Sequence, residues 1–219
     1  MRLHLLALLL VSVLLANLQT VKAQKVVLHM TGNQTFECSI SELDSITFEK
    51  EADDSDENNK YCNLPARLYV ENVRQAPVLF TACESWGEYC TAKIDNTGQR
   101  FLFTNAAGQQ SPINILAISG YGGYYLGLSG LIIGRLSIPE IGEDIARVVC
   151  FDIACSNCYQ NYNITKPLTL QTGGYAKCHS CQRTYNLNDC GSIADGPSGR
   201  NLYRYRVNYI NGTLVVNNG

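Results

Sequence analysis

Phe151-Asp152-Ile153-Ala154-Cys155-Ser156-Asn157-Cys158 and Cys178-His179-Ser180-Cys181-Gln182-Arg183-Thr184-Tyr185 are the two stretches on which the reading of this chain turns. Each carries a Cys-x2-Cys pair, and residues 159–177 separate the pairs. Two close pairs at this separation can set four thiolates at the corners of one tetrahedron, because each tight turn presents two sulfurs to the same side. The spacing falls in the range of zinc sites, and an iron–sulfur cluster can use the same four ligands. Two short disulfides, or four unrelated thiols, are the plainer alternative. Cys155, Cys158, Cys178 and Cys181 are therefore the candidate metal ligands, with zinc expected and a [2Fe–2S] cluster as the alternative.

Outward from these pairs the signals are almost all β. The run 147–153 reads as the strand that delivers the first pair, and 67–73, 78–83 and 100–104 are also strand-like. Residues 112–134 carry no charge, but Gly120-Tyr121-Gly122-Gly123 and Ser129-Gly130 break the stretch into two buried strands and not a membrane span. Residues 139–144 form a polar excursion. The runs 202–207 and 213–216 flank Asn211-Gly212, a strong hairpin signal. Many short strands with this punctuation predict an all-β antiparallel sandwich or barrel. Cys83 and Cys90 bracket a short loop, Ser85-Trp86-Gly87, that a disulfide can close; the pairing among Cys38, Cys62, Cys83, Cys90, Cys150 and Cys190 is not readable from spacing.

The beginning of the chain reads differently. Arg2 and His4 precede an apolar run at 5–16, and Val21-Lys22-Ala23 offers a small-residue cleavage site. That is the pattern of a signal peptide over 1–23, too short to span a bilayer comfortably. There is no twin arginine, and no cysteine lies near the cleavage point, so the expectation is general export to a periplasmic or extracellular location without a lipid anchor or a remaining membrane segment. Export favours zinc, acquired by simple coordination outside the cytoplasm, over a cluster that is built in beforehand. Residues 24–50 predict a small β-hairpin element, with strands at 25–30, 34–38 and 45–48; 51–60 reads as an acidic linker; 61–219 is the main domain, with a metal-binding subdomain at about 150–195.

The chain has 17 basic and 19 acidic residues, and the leader takes Arg2 and Lys22, so the mature chain is mildly acidic and gives no footing for nucleic acid. No Ser-His-Asp order or His-Glu-x-x-His motif is present, and outside the leader the histidines are His29 and His179. Asp152, Glu140 and Glu143 read as solvated or capping carboxylates. An enzyme is not expected.

With these residues in place, the segment 150–216 resembles a Rieske iron–sulfur domain, in the form found in an exported bacterial branch. That family runs strand, ligand loop, spacer, ligand loop, a Gly-Pro segment and a closing hairpin. Here Cys181 stands where the family has a histidine, and Tyr185 where it has an aromatic residue four positions on. Gly196-Pro197-Ser198 and the hairpin around Asn211-Gly212 match the closing part. The resemblance implies a Rieske-like β domain with a two-loop metal-binding knuckle over about 61–219. It departs in the ligands: a Rieske centre uses two cysteines and two histidines, and Cys158 and Cys181 take the histidine positions. His179 is read as an exposed loop residue. Two functions follow. One is a structural module with a closed four-cysteine metal site and a surface for a protein or small-molecule partner outside the cytoplasm. The other is an electron carrier with a [2Fe–2S] cluster on the same cysteines.

Overall fold

Two runs, Leu131-Ile132-Ile133-Gly134 and Val148-Val149-Cys150-Phe151, lack the polar–apolar alternation of a strand with one wet face. Such runs need a sheet covered on both sides. The computed structural model, which describes residues 25–30, 34–39, 60–115 and 123–218, places them at the centre of such a sheet. The chain divides into two units, 1–52 and 53–219. In the first, β1 (Lys25–Met30) and β2 (Gln34–Ser39) form an antiparallel hairpin with Val27 opposite Glu37. The leader, the expected strand at 45–48, nearly all of the acidic linker and Gly120-Tyr121-Gly122 lie outside the described residues.

The second unit is an all-β domain of three antiparallel sheets with two short helices. The central sheet has six strands in the order β13-β8-β7-β4-β5-β6. These are β4 (Tyr89–Ile94), β5 (Arg100–Asn105), β6 (Gln110–Asn114), β7 (Leu131–Arg135), β8 (Val148–Asp152) and β13 (Arg204–Tyr205). One face carries Leu131, Ile133, Val148, Cys150, Phe101 and Phe103. It packs against helix α1 (Pro77–Glu84) and the sheet β14-β15-β3, built from β14 (Val207–Ile210), β15 (Thr213–Asn218) and β3 (Ala66–Val70). The opposite face offers Ile132, Val149 and Phe151 to a second core. Helix α2 (Ser156–Tyr162) and the small sheet β12-β11-β10-β9 close that core. This sheet comprises β9 (Thr169–Gln171), β10 (Tyr175–Lys177), β11 (Thr184–Asn186) and β12 (Ser192–Asp195). On β5 the buried positions alternate with half-exposed ones, because the small sheet covers only the β7–β8 end.

The strands expected at 100–104 and 147–153 are β5 and β8. The Asn211-Gly212 turn joins β14 to β15, with φ of 52° and 81° at its two residues, the left-handed pair that such a two-residue turn requires. Three expectations are corrected. Residues 78–83 are helical: Pro77 opens α1 at a position that needs no N–H donor, and Val78, Leu79, Ala82 and Cys83 are buried at helical spacing. The strand expected at 67–73 is β3 and stops at Val70, where a single 3-10 turn, Val73–Gln75, follows under an Asn72 cap. The run 202–207 splits, Arg204 and Tyr205 pairing with β8 and Val207 starting β14. Cys83 and Cys90 are both buried and unbridged, and among the described residues the nine cysteines with placed side chains are all free thiols.

Asp152 at the end of β8 fixes where the chain leaves the central sheet. It is fully buried and accepts hydrogen bonds from Leu128 N–H (2.7 Å), Ala154 N–H (2.6 Å) and the Tyr205 hydroxyl (2.5 Å). Burial raises its pKa against the pull of those donors. Gly127 (φ 62°) lies against this cluster, and a Cβ there falls 2.3 Å from Asp152 Oδ2 and 2.4 Å from the Tyr205 hydroxyl. Gly127→Ala is expected to destabilise the domain by about 2–3 kcal/mol, from overpacking added to left-handed backbone strain. An unchanged urea midpoint for this variant is the result that would contradict the expectation.

Candidate metal centre

The first cysteine pair is positioned by the exit from β8. After Asp152 the chain is sutured to the residue before β7 and to the segment before β9: Ile153 N–H donates to Gly130 O, Cys155 N–H to Lys166 O (2.8 Å) and Leu168 N–H to Ile153 O (2.8 Å). Cys155 then serves as the N-cap of α2, and Cys158 lies on the first turn. The sequence reading placed this pair on a tight turn; it sits at a helix start, where i and i+3 side chains share a face. The second pair lies on the turn between β10 and β11, closed by Cys178 N–H donating to Arg183 O (2.9 Å). Gln182 takes a left-handed conformation there (φ 61°), and its side-chain amide donates to His179 O (2.6 Å).

These two segments bring all four predicted residues together. The Sγ atoms of Cys155, Cys158, Cys178 and Cys181 all lie within 4.8 Å of one another. Cys155 Sγ is 3.6 Å from Cys181 Sγ, and Cys158 Sγ is 3.7 Å from Cys178 Sγ. Cys155, Cys158 and Cys178 are buried and Cys181 is half-buried, while His179 is exposed and no part of the cluster. Burial pushes the Cys158 and Cys178 thiols up. Cys181 differs. Against the penalty of its burial, the Arg183 backbone N–H and guanidinium bring it down to about 6. Arg183 is itself held by Pro197 O (2.9 Å) and Ser198 O (2.8 Å), which gives the Gly-Pro segment a physical task. Four sulfurs so placed can bind a metal ion.

A surrounding hydrogen-bond chain aims at one of the sulfurs. The Asn157 side chain is oriented by Arg200, accepting from its N–H (3.0 Å) and donating to its carbonyl (2.8 Å). The same Nδ2 donates to the Tyr185 hydroxyl oxygen (2.9 Å). The Tyr185 hydroxyl stands 3.1 Å from Cys155 Sγ, and toward a thiolate there it can act only as the donor. A neutral donor on a thiolate disperses its charge and holds the ligand in place. Tyr185→Phe keeps the buried ring and removes only this hydroxyl. We expect metal affinity to fall about 10–100-fold with the fold retained, as read by competition with a chromophoric chelator; equal affinity would show that the hydroxyl does nothing for the site.

Of the three carboxylates expected to be solvated or capping, Glu143 is exposed, while Asp152 and Glu140 are not solvated. Asp152 is fully buried, and Glu140 is 11% exposed in a paired arrangement that sequence reading missed. Arg204, 3% exposed, donates from both terminal nitrogens to Glu140, one of them at 3.1 Å. Its guanidinium carbon stands 5.6 Å from the Tyr61 ring centroid and 5.9 Å from that of Phe151. Lys60 approaches the same carboxylate at 3.0 Å, and the Cys190 thiol donates to it at 3.3 Å. Glu143 pairs with Arg147 and is more than a third exposed. An arginine in a β-run, 64 residues from its partner, carries no local signal of this kind. No known family pattern and no curated protein matches this chain.

Proposed function

We propose that this chain is an exported Rieske-like module in which Cys155, Cys158, Cys178 and Cys181 hold one zinc ion as a structural cross-link between two loops, so that the loop tip can meet a protein or small-molecule partner. One observation carries the metal part: all four sulfurs fall within 4.8 Å of one another. Zinc–sulfur bonds of about 2.3 Å place the sulfurs of a tetrahedron roughly 3.8 Å apart. Two of the sulfur contacts, at 3.6 and 3.7 Å, match that spacing. A two-iron cluster inserts a second metal and two sulfides between its pairs of thiolates and so drives the pairs apart; the compact arrangement therefore favours a single ion. When bound, zinc supplies a closed, redox-inactive junction with no open position for substrate. The protein's own contribution is the Tyr185 and Arg183 donors, which stabilise thiolate charge at Cys155 and Cys181.

The Rieske-like reading is supported by the placement of Tyr185 and the Gly196-Pro197-Ser198 segment around the two loops. Export is supported by the leader-like composition of residues 1–23. A partner-binding tip is supported by the exposure of His179, Ser180 and Gln182 over a buried site. Elemental analysis with a visible spectrum tests the centre. The expected result is one zinc per chain and a colourless protein. Stoichiometric iron with a brown colour that bleaches on reduction would replace this reading with a [2Fe–2S] electron carrier.

A further inference from the structure

The sulfurs also decide what the site becomes when it is oxidised. Resting on the metal reading above, we propose that hydrogen peroxide converts the centre into two disulfides that run between the loops, Cys155–Cys181 and Cys158–Cys178, exchanging the metal for covalent staples.

Two sulfur contacts cross from the α2 segment to the β10–β11 turn, at 3.6 and 3.7 Å. Each bond needs its sulfurs to approach by a further 1.6 Å or so, to the usual length of about 2.05 Å. Neither loop has to give up the backbone bonds that shape it, Cys155 N–H to Lys166 O and Cys178 N–H to Arg183 O. The crossing pairing also does more for the stability of the fold. The crossing bridges close sequence separations of 26 and 20 residues, whereas a bridge inside either Cys-x2-Cys closes almost no loop and joins nothing to the other segment. Longer closed loops restrict the unfolded chain more.

Cys181 is the half-buried member and its three companions are buried, so the oxidant meets it first. Its thiolate attacks one peroxide oxygen and the O–O bond breaks. Sulfur is oxidised to a sulfenic acid, and the displaced oxygen leaves as water after taking up a proton. The Cys155 thiolate then attacks the Cys181 sulfur, the S–S bond forms, and the sulfenic hydroxyl leaves as a second water with another proton. A second hydrogen peroxide does the same for Cys158 and Cys178. Zinc departs as the divalent ion with no change of oxidation state.

The two segments can be read apart by trypsin. Cleavage follows Arg147, Lys177 and Arg183, while Lys166 is followed by Pro167 and resists, so the peptides are 148–177 and 178–183. Zinc-loaded full-length protein is titrated with hydrogen peroxide, and released zinc is followed with a chromophoric chelator. Samples are then alkylated in denaturant, digested and mass-analysed with and without reductant. The expected result is a joined pair of peptides that reduction splits, growing in step with zinc release, with fragmentation placing the bonds at 155–181 and 158–178. Zinc release with the two peptides unlinked overturns the pairing and leaves the metal reading standing. Zinc absent from the starting protein overturns the metal reading, and the peptide link then decides the pairing by itself.

Discussion

Cys178→Ser is expected to release the metal and lower the thermal midpoint of the domain by about 10–20 °C, a loss of about 5 kcal/mol at roughly 2–4 °C per kcal/mol for a domain of this size. The size follows from linkage: where a metal site forms only in the folded state, binding free energy is folding free energy, about 10–16 kcal/mol for structural zinc in small peptides. Cys178 is fully buried in the core beneath β8, and its loss also frees its three companions from the ion. A strong chelator should lower the wild-type midpoint and leave that of the variant where it is. The β14–β15 hairpin, which lies on the other side of the central sheet, should keep its amide protection through this change. If chelator leaves the wild-type midpoint unmoved and reductant lowers it, the four cysteines are disulfides in the resting protein and the metal reading is wrong.

Glu140→Gln should cost about 3–5 kcal/mol, because it leaves the Arg204 charge buried without its counter-charge. Arg204 is 3% exposed and sits between the Tyr61 and Phe151 rings, so water cannot take over the role of the carboxylate. Its Nε already lacks a partner. The more exposed pairs made by Lys60 and Arg147 should matter much less. Replacing both partners, Glu140→Leu with Arg204→Met, should recover most of the loss, since an apolar pair has no charge to strand. A double variant as unstable as the single one would assign the cost to shape and not to charge. The pair also predicts an acid limb. Although burial opposes it, Glu140 is held down to about 2 by Arg204 and Lys60, from an ordinary value near 4.5. A depressed carboxylate pKa contributes stability that is complete above the unfolded value and is lost as pH falls through the folded one. Wild type should therefore lose this stability between about pH 4.5 and pH 2, and Glu140→Gln should show a flatter profile there; parallel profiles would sever the limb from this residue.

What could be read from the chain was chemistry with a short range. The Cys-x2-Cys pairs and the Asn211-Gly212 turn declare themselves because ligand type and turn conformation are set within a few residues. The apolar runs at β7 and β8 announced buried strands, though not that each strand feeds two cores. Residues 78–83 misled because Val, Phe and Thr are common in strands, while burial beside the six-stranded sheet decides for helix; Pro77 was the local clue. Cys155 as a helix cap was hidden because cysteine is not a usual capping residue. Glu140 with Arg204, and Tyr205 with Asp152, were illegible for a simpler reason. Each pair is joined only by the folded sheet, across 64 and 53 residues.

One pairing in the outer sheet bears on how the protein comes into being. β15, the C-terminal element among the described residues, lies in the middle of its sheet, and β3, which opens the domain, hangs from its edge with Ala66 opposite Asn218. Asn218 Nδ2 reaches further upstream, to Cys62 O (2.6 Å) and Leu64 O (2.7 Å). β3 is bridged through Arg67 to Tyr125 on one side, but its full ladder forms only with β15, far along the chain. Such end-to-end closure carries a high entropic cost and slows folding. A growing chain can pair β4 to β8 earlier, but the outer sheet that covers one of their faces closes only once β15 has been made.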